Sequence, residues 1–133
     1  MKGNWYTVNL LKDGSKEINF IYQEVYFSKN QMFYFNNISG FRVPNFYKVK
    51  NDSLYMSFFL NKDYDFLSRI IYDDNNFSII GMEDTIHFYK LKNVKNTLDK
   101  FLIINDSISD FNQKGTEFTQ GFINRSQKYY TKK

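Results

Sequence analysis

The chain contains no cysteine. That excludes disulfides, thiolate metal centres and cysteine nucleophiles together. It has one histidine, His87, so a three-histidine metal site is impossible and a histidine-based triad would need this one residue; it reads as a strand residue facing solvent or a helix. No glycine-rich phosphate loop is present. One proline and six glycines in 133 residues argue against disorder or a flexible linker. No apolar run reaches the ~18 residues of a membrane span. Only four residues precede Trp5, too few for a signal peptide. As it stands the chain reads as cytoplasmic; the other reading is an exported protein or lipoprotein whose leader has been removed.

Aromatic residues are abundant: 15 Phe, 11 Tyr and one Trp. They favour strands and supply a large core for one domain. The net charge of +4 is confined to the end of the chain. Residues 124–133 hold Arg125, Lys128, Lys132 and Lys133 and no acid, and taking these four from 18 basic residues leaves 14 against 14 acidic ones. A neutral body with a small basic tail is a poor electrostatic footprint for nucleic acid, and none is expected as a partner.

From Gly3 to Leu91 the chain alternates short apolar segments with polar turns. The first strand ends at Asp13-Gly14, a hairpin signal. Strands follow at about 17–27, 31–35, 41–50, 54–60, 64–72, 77–81 and 85–92, with Pro44 expected to make the fourth irregular. Eight strands joined by seven short turns, with no helical pattern between them, describe an antiparallel meander. Such a meander can close into an up-and-down barrel and lose both edges. An OB-like barrel or a two-sheet sandwich is the alternative. Beyond Leu91 the period changes. A helical stripe is expected over 94–104, and a second helix from an N-cap at Thr116. That helix carries Phe118, Phe122, Arg125 and Tyr129 on one face. It is expected to dock on the barrel with Arg125 at the contact edge. Residues 1–92 thus form the barrel, and 93–133 a helical extension packed on it within one domain.

Gly3-Asn4-Trp5-Tyr6 resembles the Gly-x-Trp opening of lipocalins and related calycins, in which the tryptophan closes the barrel base. Tyr72-Asp73-Asp74 lies where lipocalins carry Thr-Asp-Tyr, and Tyr89-Lys90-Leu91-Lys92 looks like the last strand of small bacterial lipocalin-like domains. The resemblance covers about residues 2–92. Two departures stand out. The family's arginine that packs on the tryptophan is missing, leaving Lys90 or Lys92 to substitute, and the first loop is only Lys12 to Lys16.

The resemblance and the barrel imply a non-catalytic protein that binds a small hydrophobic or amphipathic molecule. Trp5, Phe33, Phe35, Tyr47, Met56 and Phe58 are the candidate liners, with Arg69 as a polar anchor and Glu24 as its candidate partner. Aromatics this bulky can also fill a small barrel completely. The alternative is a protein-interaction module, such as an inhibitor or immunity-type protein that blocks a toxin or enzyme, presenting surface tyrosines. Asp63, Asp65, Asp73, Asp74, Glu83 and Asp84 gather near strand ends, where acids are ordinary turn formers. No metal, cofactor or catalytic group is expected.

Overall fold

The computed structural model describes residues 2–12, 18–37, 40–41, 44–57, 65–81, 85–102 and 108–130; of these, the side chains of 9–12, 18–20, 65–67, 102, 108–114 and 129–130 are not described. Among the described residues nine strands are formed: β1 (Gly3–Lys12), β2 (Ile18–Phe27), β3 (Gln31–Asn36), β4 (Gly40–Phe41), β5 (Asn45–Lys50), β6 (Ser53–Ser57), β7 (Asp65–Asp73), β8 (Asn76–Ile80) and β9 (Thr85–Lys90). Eight of them make a closed antiparallel ring in the order β1-β9-β8-β7-β6-β5-β3-β2, sealed by the β2–β1 and β2–β3 pairings. The two-residue β4 lies only on the end of β3, pairing Phe41 with Phe35 and Gly40 with Asn36. The irregularity anticipated at Pro44, which lacks the N–H that would continue the ladder, is there: β4 and β5 both pair with β3, and the register shifts by one residue between Phe41↔Phe35 and Asn45↔Met32. Between β5 and β6, Asn51 and Asp52 both have positive φ, 52° and 61°, the backbone of a tight hairpin whose twist matches its strands.

The ring's interior is an aromatic and aliphatic core. It contains Trp5, Val25, Phe27, Tyr47, Leu54, Ile70, Phe77, Ile79 and Phe88, with Met32, Tyr34, Met56 and Ile86 packed against them. A second core lies outside the ring. Tyr22 on β2 packs with Leu98 and Phe101 of α1 (Leu98–Leu102) and Phe118 and Phe122 of α2 (Ile108–Tyr130), over Tyr6, Val8, Tyr26, Phe33 and Phe35. The outer faces of β1, β2 and β3 are apolar because two helices cover them. Phe122 meets Tyr22 at 5.4 Å and Phe35 at 4.8 Å between ring centroids. Phe118 and Phe122 are almost fully buried, worth about 1.5–3 kcal/mol each by area burial.

Phe118, Phe122 and Arg125 of the expected stripe thus face the barrel, the Tyr129 side chain lying outside those described, and α2 starts earlier than anticipated. It begins at Ile108, and Thr116 is an exposed residue within it rather than its cap. The polar stretch before Thr116 lacks the apolar periodicity from which a helix is read. Gly115, inside α2, has a packing role: a Cβ there would come within 3.2 Å of the Phe101 ring.

Candidate functional site

A multiply bonded polar contact locks α2 to the barrel. Glu24 is 1% exposed on the outer face of β2. The Arg125 guanidinium donates to both its oxygens, Nε to Oε2 and Nη2 to Oε1, each at 2.7 Å. The Tyr22 hydroxyl donates to Oε2 as well, at 2.7 Å. The remaining Arg125 donors reach the carbonyls of Lys95 at 2.8 Å and Asn96 at 3.3 Å. Burial opposes charge on Arg125, yet Glu24's hydrogen bonds and charge outweigh it and hold the guanidinium above the usual arginine range. Gly121 leaves room for this arrangement, since a Cβ would sit 2.9 Å from Arg125 Nη1. Glu24 is therefore Arg125's partner, not Arg69's.

Inside the ring, the end holding Trp5 is a solid floor. Trp5 meets Phe77 edge-on at 4.6 Å, Phe77 stacks on Phe88 at 4.6 Å, and Phe27 contacts Tyr47, Phe77 and Phe88 at 5.2, 5.8 and 5.8 Å. Tyr47 donates its hydroxyl to the Ser28 carbonyl. Burial, then the nearby Tyr26 and Tyr72, push the Tyr47 hydroxyl above its usual value. From the side, Lys90 Nζ lies 4.6 Å over the Trp5 ring and donates to the Lys2 carbonyl at 3.3 Å. Gly3 makes this close approach possible: its φ is +117°, and a Cβ there would come within 2.4 Å of Nζ.

Above the floor the wall becomes polar. β1 pairs with β2 so that Thr7 faces Gln23, and β2 with β3 so that Gln23 faces Asn36. Alternation from Trp5 and Val25 points all three inward. Asn36 Nδ2 donates to Gln23 Oε1 at 3.0 Å. Thr7 is fully buried, and its Oγ1 has no hydrogen-bond partner among the described residues; Asn45 Oδ1, on the inward face shared with Tyr47, is buried in the same condition. Three places from β1 in the ring, Ser68 and Ile70 are buried on β7.

The candidate liners divide accordingly. Trp5, Tyr47 and Met56 belong to the interior. Phe33 and Phe35 do not line it; they point outward beneath the helices. In β3 both faces are apolar, Met32 and Tyr34 on one and Phe33 and Phe35 on the other, so alternation alone does not say which is interior. Phe58 lies outside the described residues. Arg69 is exposed between the buried Ser68 and Ile70; it stands on the outer wall and is not an anchor inside, where its charge would lack compensation. Thr7, Gln23, Asn36, Asn45 and Ser68 were not among the candidates. The usable signal was parity, because Thr7 is two residues beyond Trp5 and must share its face.

On the outer surface, Ser78 Oγ and His87 Nδ1 are 2.7 Å apart across β8 and β9, and both strands carry them in the open. Among the described residues no group of three or more His, Asp or Glu can hold a metal ion, and no helix is long and apolar enough to cross a membrane. No protein-family model, no curated protein and no solved structure matches this chain.

Proposed function

We propose that this is a non-catalytic, lipocalin-like binding protein that takes a small amphipathic molecule into the barrel above the Trp5 floor. The Gly-x-Trp opening supports the lipocalin-like assignment. So does Lys90, which packs on Trp5 from the position where the family carries arginine. The observation that carries the binding reading is the pair of orphaned polar atoms, Thr7 Oγ1 and Asn45 Oδ1, buried on the inward face of the wall. An unpaired buried polar group costs about 1–3 kcal/mol, and a ligand bringing donor groups removes that cost at both atoms. Apolar walls with a few convergent polar groups are the usual make-up of small-molecule sites.

Native mass spectrometry of gently purified protein, with thermal shifts against fatty acids and isoprenoid alcohols, tests the reading. A co-purified or stabilising molecule whose effect is lost in Thr7→Val supports it. No bound mass and no shift across the panel overturns it.

A second reading, a protein-interaction module of the inhibitor or immunity type, draws on a different face. Ile71 and Tyr72 on β7 and Ile80 on β8 are 53%, 51% and 37% exposed. With Arg69 they border a groove of about 540 Å³ on the outer wall, away from the helices. Ile71→Asp should leave the lumen unaffected while abolishing capture of any protein partner.

A further inference from the structure

Thr7, Gln23 and Asn36 stand on three neighbouring strands, one step along the barrel from the Trp5 floor. Thr7 follows Trp5 by two residues on β1, and its cross-strand partner Gln23 precedes Val25 by two on β2. The hydrogen-bonding groups of this row are only partly spent. Asn36 Nδ2 donates to Gln23 Oε1 at 3.0 Å, which fixes the Gln23 amide and leaves its NH2 group as the end to be offered. Thr7 is 0% exposed, and its Oγ1 has no partner among the described residues. A threonine hydroxyl can both donate and accept. Cross-strand neighbours stand about 4.5–5.5 Å apart at Cβ, so one small head group can reach both Thr7 and Gln23.

Among the described side chains no charge answers this row. Lys90 turns its Nζ to the Lys2 carbonyl and to Gly3, on the other side of Trp5 from Thr7. Glu24, next to Gln23, faces outward and is held by Arg125. Arg69 stands on the outer wall. We infer that the lumen selects an amphipathic molecule with an uncharged head, an alcohol or a primary amide, over the carboxylate or the ammonium of the same chain length. The selectivity rests on the lumen-binding reading proposed above and names the ligand class within it. A hydroxyl or a carboxamide accepts from Gln23 Nε2 and donates to Thr7 Oγ1, so both ends of the row are satisfied. A carboxylate brings acceptors only, together with a charge that nothing in the row compensates. An ion buried in that condition is disfavoured far more strongly than a neutral dipole. An ammonium carries the same burden and cannot accept from Gln23 at all.

Calorimetric titration of the full chain with decanol, decanamide, decanoate and decylamine, at about pH 8 and below the concentrations at which they aggregate, tests the inference. At that pH the acid and the amine are ionised, as the side chains of Glu and Lys are. Decanol and decanamide are expected to bind at least about tenfold more tightly than either ion, the smallest difference that an uncompensated buried charge should make. Gln23→Glu, with its fold checked by circular dichroism, keeps an oxygen for Asn36 and sets an anion in the row. It should shift the preference toward decylamine by about tenfold or more. Equal or tighter binding of decanoate or decylamine by the wild type overturns the inference and leaves the lumen-binding reading standing. A head-group preference that Gln23→Glu leaves unchanged also overturns it, because the head then sits elsewhere. Binding of none of the four overturns both.

Discussion

Replacing Arg125 by methionine keeps much of the side chain's length and removes its charge. Glu24, 1% exposed, then keeps the Tyr22 hydroxyl and loses both 2.7 Å bonds from the guanidinium. Stranding one member of a buried ion pair costs about 3–5 kcal/mol. With an unfolding entropy near 2.1 cal/mol/K per residue, a chain of 133 residues loses about 10–20 °C of melting temperature for that cost. The second variant, Glu24→Gln/Arg125→Met, removes the stranded charge while a neutral amide oxygen still accepts from Tyr22. It should recover at least half of the loss despite carrying one more substitution. Thermal melts followed by circular dichroism, repeated in urea, measure all three proteins. If Arg125→Met shifts the melt by less than about 3 °C, or if the double variant is no better than the single, the pair is not the buried lock described above.

Two further outcomes follow from the packing. Phe122→Ala, which removes a ring against Tyr22, Phe35 and Phe118, should destabilise by about 3–5 kcal/mol; a loss under ~1 kcal/mol in denaturant titration would mean that α2 is not docked in solution. Tyr47 and Tyr72 both ionise later in the folded state than their ordinary value of 10.0, so the folded chain retains protons that the unfolded chain gives up. Stability is then fully present below pH 10 and falls as pH rises through the folded-state values. Tyr47→Phe should flatten that alkaline decline, and a decline of unchanged slope would contradict the assignment.

Much of the barrel was legible in the residues themselves. The short apolar runs, the turn residues between them and the absence of helical period before Leu91 specify an antiparallel meander, because a strand's side chains repeat every two residues whatever surrounds it. The stripe Phe118–Phe122–Arg125 was legible for the same reason, at the period of a helix. The irregularity of the fourth strand was visible in Pro44, and the pairing with β3 shifts by one residue across it.

What the tertiary structure alone decided was which face each strand turns inward. Phe33 and Phe35 alternate as well as Met32 and Tyr34 do, and only the helices lying over β1, β2 and β3 make the first pair exterior. The same covering chose Glu24's partner: a carboxylate on an outer strand meets whatever crosses above it, and that is Arg125, 101 residues along the chain. Thr7, Gln23 and Asn36 became one polar row only through the register of three strands. Local pattern follows from backbone geometry and is written residue by residue, whereas pairings between distant residues depend on how the ring closes and where the helices settle upon it.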